Sequence, residues 1–186
     1  MSETAVPADF VTALLSVRDA AQHPLMEYEE IPAPTRLAPW NAALTLRTRE
    51  ENYAQPRSTG RFVILHDPHT QPGWNGTFRV VAHMRSQIDA EMCNDPLLSE
   101  AIWHWAHDCL EEAGAGYHDI TGTVTREISE SFGGLDLRGA TLHVELRASW
   151  TPYTAYLGEH LSAWSELMCR TAGITAAQHI IGVPLS

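Results

Sequence analysis

Lysine is missing from all 186 residues of the chain: its twelve basic residues are arginines, set against 23 acidic ones. That absence excludes a P-loop lysine, a Schiff-base lysine for pyridoxal phosphate and a lysine general base. The resulting net charge of −11 repels a polyanion, so binding of nucleic acid through phosphate contacts is not expected. Cysteine is scarce as well. Cys93, Cys109 and Cys169 are far apart and form no Cys-x-x-Cys pair, which argues against a zinc ribbon or a thioredoxin-type motif. Reduced, partly buried thiols in a reducing compartment are the simpler expectation. Long apolar runs are absent too, so no membrane-spanning helix is expected. Residues Met1 to Ala8 carry no basic stretch followed by an apolar one, and the expected location is the cytoplasm.

What remains is a composition suited to burial. Hydrophobic residues make up 44% and charged residues 19%, and a chain of this length buries roughly 70% of its unfolded surface. One domain over 1–186 is expected, with its core at about 7–173 and a short tail at 174–186.

Periodicity then orders the elements. Phe10, Leu14, Val17 and Ala21 mark a first helix over Pro7 to Ala21. Leu25 to Ile31 reads as a short edge strand, and Trp40 to Arg49 as a second strand with Ala42, Leu44 and Leu46 on one side. Arg61 to His66 is apolar on both parities, the pattern of a strand covered on both faces. Thr77 to Arg85 alternates and closes a hairpin with it. Asp95-Pro96 predicts the start of a helix that ends at Gly114, its stripe being Leu98, Ala101, Ile102, Trp105, Cys109 and Ala113. Ile120 to Ser129 and Ala140 to Trp150 are two more strands, and Pro152 is read as opening a last helix to Ala172. Its predicted stripe is Tyr153, Leu157, Leu161, Trp164 and Met168. Strands arriving in hairpins predict an α+β fold: two layers, an antiparallel sheet of five to six strands backed by three helices, in the order α-β-β-β-β-α-β-β-α.

Several groups of residues carry chemistry. His66, Asp67 and His69 lie where a strand enters a turn, and two imidazoles with a carboxylate can hold a divalent metal or supply a base. Alternatively, Asp67-Pro68 only starts the turn and the histidines are solvated. Glu100, His104, His107, Asp108 and Glu111 share one side of the central helix, as metal ligands or as a wet face with Glu–His pairing. Trp103 falls off the apolar stripe and points to a contact surface or to burial beneath another segment. Ser129 and Ser131 near Gly133-Gly134 lack the spacing of a nucleophile elbow.

The collective feature is the sheet face opposite the helices. Parity assigns it Thr45, Arg47, Thr77, Arg79, His83, Thr123, Thr125, Glu127, His143, Glu145 and Arg147. Such a face is either ordinary wet surface or a site where Arg47, Arg79, His83, Glu127, Glu145 and Arg147 read a carboxylate, a phosphate or an acidic partner. Arg126 breaks the parity, which predicts a bulge or an arginine paired with a carboxylate beneath the core.

Several segments together resemble a bacterial family known only as a domain of unknown function: Glu30-Ile31-Pro32-Ala33-Pro34, Thr59-Gly60-Arg61-Phe62-Val63-Ile64-Leu65-His66-Asp67-Pro68, Gly122-Thr123-Val124-Thr125-Arg126 and Arg147-Ala148-Ser149-Trp150-Thr151-Pro152. The resemblance covers roughly Pro7 to Gly173. It implies no activity, cofactor or catalytic residue. It does imply gene proximity to a ribonuclease D-like exonuclease, and so a role as an RNA-processing accessory protein as one alternative. The order of elements also resembles that of small secretion-chaperone-like domains that bind polypeptides, an analogy of fold alone. The leading expectation is a non-enzymatic cytoplasmic binding or adaptor protein that self-associates or holds a protein partner, with no cofactor. The other alternative is a small metal-dependent hydrolase using His66, Asp67 and His69.

Overall fold

The structure is a computed structural model that describes residues 5–49, 56–134 and 139–174. The expected order of elements is the observed one. Helix α1 (Ala8–Ala20) leads into strands β1 (Met26–Ile31), β2 (Trp40–Thr48), β3 (Ser58–His66) and β4 (Phe78–Ile88). A 3-10 turn over Ala90–Asn94 precedes α2 (Leu98–Glu112), which is followed by β5 (Tyr117–Glu130), β6 (Ala140–Pro152) and α3 (Gly158–Thr171).

The six strands form one open sheet in the order β1-β2-β3-β4-β6-β5, and every neighbouring pair is antiparallel. The first four strands are a meander. The chain then leaves the sheet through α2, lays down β5 as the outer edge and returns as β6 between β5 and β4.

Alternation decides which face is covered. In β6, Leu142, Val144, Leu146, Ala148 and Trp150 are buried, while Thr141, His143, Glu145, Arg147 and Ser149 point the other way. Val80, Ala82 and Met84 beside them on β4, and Phe62 and Ile64 next on β3, complete the inner face. Helix α3 lies centrally over it, with α1 and α2 against its flanks. That explains why α3 is buried on most sides, from His160, Leu161 and Trp164 to Met168 and Cys169, instead of along one stripe. Gly158 permits the close α1–α3 approach. A Cβ there would lie 2.5 Å from the Ser16 carbonyl oxygen, and its N–H donates to Ser16 Oγ at 2.8 Å.

Aromatic groups in this core have polar partners. Trp150 and Trp164 lie with ring centroids 5.6 Å apart. The Trp150 indole N–H donates to His160 Nδ1 at 2.9 Å, and the Trp164 indole N–H donates to the backbone carbonyl of His83 at 3.1 Å. A buried indole left without an acceptor would carry a penalty of about 1–3 kcal/mol, so both contacts fix where α3 docks.

The structure corrects several sequence expectations. Pro152 does not open α3. It ends β6 opposite Tyr117, and a turn intervenes before Gly158, leaving Tyr153 exposed instead of on the buried stripe. Likewise Asp95 does not cap α2 directly: its carboxylate takes the Leu97 N–H, and the helix begins at Leu98. The buried residues of α2 are Leu98, Ile102, Ala106, Cys109 and Leu110, so its stripe is rotated from Ala101, Trp105 and Ala113. Strand β3 begins at Ser58, earlier than expected. The loop expected over Glu50 to Gly60 lies outside the described residues at 50–55, as does the tail at 175–186.

Arg126 pairs with neither a carboxylate nor a bulge. Its guanidinium donates to the backbone carbonyls of Asp95, at 2.8 Å, and of Cys93. It thereby satisfies the orphan carbonyls at the end of the 3-10 turn, and the sheet irregularity falls instead between His118 and Thr121. Arg126→Met keeps the aliphatic stem and removes both hydrogen bonds. Urea unfolding is expected to report a loss of about 2 kcal/mol, and an unchanged midpoint would show the contacts to be idle.

Candidate binding face of the sheet

Register places the outward side chains in transverse rows. One row runs Glu29, Thr45, Arg61, His83, Arg147 and Thr123 across all six strands. The next runs Glu27, Arg47, Thr59, Arg85, Glu145 and Thr125. On the other side of the first row, Ala43, Val63 and Val81 form an apolar strip, with Ser149 and Thr121 beyond it. A broad groove runs over Thr45, Arg47, Arg61, Val63, Val81, His83 and Arg147.

Glu145 organises the basic residues. Its carboxylate accepts from His83 Nε2 at 3.1 Å and from Arg147 Nε at 2.7 Å, with Arg85 at 3.9 Å. Burial pushes the Glu145 carboxyl up, but the His83 hydrogen bond and the Arg147 charge outweigh it and hold the group below the usual carboxylate range. It therefore remains an anion beneath the row. Arg85 forms a two-pronged contact with Glu127, both distances 3.1 Å, which holds Glu127 below its ordinary range. Arg47 and Arg49 both reach Glu27 on the β1 side.

The expected site residues thus divide into groups. His83, Glu145 and Arg147 are brought together, Glu127 joins them through Arg85, and Arg47 stands apart at the β1 edge. Arg79 corrects the expectation of an exposed reader. Its parity is right, but it is only 9% exposed, and its guanidinium donates to Ser149 Oγ at 2.7 Å and Thr151 Oγ1 at 2.9 Å. Thr151 Oγ1 in turn donates to the Trp74 carbonyl at 2.5 Å. Trp74, from the turn before β4, packs with Ala38 and Leu65 in a small apolar cluster on this face. That cap also explains why β3 is apolar on both parities. Burial lowers the Arg79 pKa while the charge of Asp119 opposes it.

Arg61 was missed. It is exposed and makes no ion pair with the described residues, and its signal was the parity it shares with Val63 and Leu65.

The other candidates separate. His66 points to the helix side, 2% exposed between the rings of Phe10 and Phe78, and its Nδ1 contacts the Thr77 carbonyl at 2.9 Å. Burial lowers its pKa. Asp67 instead folds the turn, accepting the His69 N–H at 2.9 Å and the Gln71 amide at 3.2 Å. These residues do not converge, and no group of three His, Cys, Asp or Glu among the described residues is arranged to hold a metal. On α2, His104 lies 3.6 Å from Glu100, whereas His107 turns back to the Trp103 carbonyl at 2.8 Å. Trp103 is covered by β5: a Cβ on Gly122 would lie 2.3 Å from its ring.

A family model described as a protein of unknown function, DUF3000, matches residues 6–180. The chain belongs to the DUF3000 family. No curated protein and no solved structure matches it. Membership in DUF3000 carries no activity with it, so the geometry of this face bears the argument. No described helix is long and apolar enough to cross a membrane.

Proposed function

We propose that this protein is a non-enzymatic binding or adaptor protein of the cytoplasm that holds an acidic segment of a protein partner against the open face of its sheet. The observation that carries the reading is the row Arg61, His83 and Arg147 on three neighbouring strands, flanked by Val63 and Val81. Two guanidiniums bracketing an imidazole suit a carboxylate or another flat anion, and the valines suit the apolar neighbours of an acidic side chain. Glu145 holds His83 and Arg147 in place before any partner arrives, which lowers the ordering penalty on binding. The described helices cover the opposite face, and on this one the cluster of Trp74, Ala38 and Leu65 lies beside the row without burying Arg61 or Arg147. The hydrolase reading rests on His66, Asp67 and His69, which do not converge, and the RNA-accessory reading works against a net charge of −11.

Native copurification at near-physiological salt, with recovered proteins identified by mass spectrometry, tests the proposal. Wild-type protein is expected to retain a partner in near-equal amount, and the double variant Arg61→Glu/Arg147→Glu to lose it at least about tenfold, equivalent to about 1.4 kcal/mol. Both side chains are exposed, so the variant should stay folded, its unfolding midpoint lowered only by the like charge set beside Glu145. A variant that recovers the same partner undiminished overturns the reading.

A further inference from the structure

The two edges of the sheet are unequal. Strand β1 is six residues long and carries Glu27, Glu29 and Glu30, so its acidic side chains discourage a second strand from pairing there. Strand β5 is fourteen residues long and, among the described residues, pairs with β6 alone. Its central stretch, Thr121-Gly122-Thr123-Val124-Thr125, has no charge, no proline and no bulge, the irregularity lying before Thr121. An open, neutral, β-branched edge of this length is a template for strand addition.

We propose that a second copy of this chain adds its own β5 antiparallel to this edge, joining two six-stranded sheets into one continuous sheet. Self-complementarity selects the occupant. A two-fold axis at Val124 sets Thr125 opposite Thr123 and Glu127 opposite Thr121; an axis at Thr125 sets Glu127 opposite Thr123 and Arg126 opposite Val124. Neither register faces like charges. Axes at Arg126 or Glu127 would set identical charges against each other, so the neutral segment also specifies where the copies meet. An acidic peptide would find no cation on the neutral stretch.

Apolar side chains beside this edge support the same contact. Arg126 ties β5 to the segment from Cys93 to Asp95. Just beyond, Ile128 on β5 is 48% exposed and Leu97 63% exposed. With the axis at Thr125, Ile128 of each copy stands opposite Gly122 of the other. Gly122 has no Cβ, and the Trp103 ring lies directly over it, so the partner's Ile128 packs beside the indole. The open faces of both copies then lie on one side of the joined sheet, in keeping with isologous pairing.

Sedimentation velocity over a concentration series tests this, with Thr123→Glu/Thr125→Glu as the variant. Those glutamates face glutamates of the other copy in either register, and their side chains lie on the exposed face. Wild-type protein is expected to approach twice the 20.6 kDa chain mass, and the variant to dissociate at least tenfold more readily with an unchanged circular-dichroism spectrum. Hydrogen exchange should protect alternate β5 amides as concentration rises. Glu29→Thr at the opposite edge should leave association unaltered. A wild-type protein that is monomeric at every concentration, or a dimer indifferent to the β5 variant, overturns the proposal.

Discussion

Gly60→Ala is expected to destabilise the protein by about 2–4 kcal/mol, although it adds a single methyl group within a strand. A Cβ at this position would lie 2.3 Å from the His83 carbonyl oxygen and 3.2 Å from Met168 Sδ. The first contact is with backbone, so no rotamer change relieves it. Strand β4 would have to move away from β3, straining the ladder between them. The same carbonyl accepts the Trp164 indole N–H, so the displacement also threatens the docking of α3. Urea denaturation measures the effect. Gly134→Ala is the control: nothing lies within 4 Å of its added Cβ, and its change should stay within about 0.5 kcal/mol. Equal midpoints for the two variants would mean that β3 and β4 relax more easily than their packing implies.

Acid should weaken the fold well above the pH at which its carboxylates protonate. Burial pushes the His160 pKa from 6.5 down to about 4. Its Nδ1 accepts from the Trp150 indole, so a proton there would set N–H against N–H. As pH falls, the unfolded chain takes up this proton first. The stability associated with neutral His160 is therefore complete above 6.5 and drains away down to about 4, amounting to about 3 kcal/mol. His66, also lowered by burial, acts in the same direction. Unfolding free energies measured between pH 7 and pH 4 should decline, and His160→Gln, which retains an acceptor, should flatten that decline while lowering stability at pH 7. Parallel curves for wild type and variant would remove His160 as the cause.

Much of the fold was legible because strands facing water on one side advertise it. The alternation in β6 predicts its inner and outer residues, and Met26 and Tyr28 against Glu27 and Glu29 mark β1. What escaped depends on segments distant in sequence. Nothing local to Arg79 announces that Ser149 and Thr151 take its guanidinium or that Trp74 and Ala38 pack on its neighbour Leu65, so parity alone exposes a residue that the structure buries. The same cap makes Val63 and Leu65 look like core and hides Arg61 among them. Proline misled at β6 because Pro152 suits a first helical position as well as a strand end, and only pairing with Tyr117 decides between them. Arg126 was rightly anomalous, but backbone carbonyls carry no identity in a sequence and so could not be foreseen as its partners.

The hydrogen bond from Trp164 to the His83 carbonyl spans the sheet's two faces within one residue: its backbone is held from the helix side, while its side chain stands between Arg61 and Arg147. Mutational drift in the interior is thus not free of selection on the exterior. A lineage that replaces Trp164, or fills the space at Gly60, changes the setting of a surface histidine through that residue's backbone carbonyl. Positions 60 and 164 should consequently be inherited as a unit, while the carbonyl between them leaves the side chain at 83 free to vary.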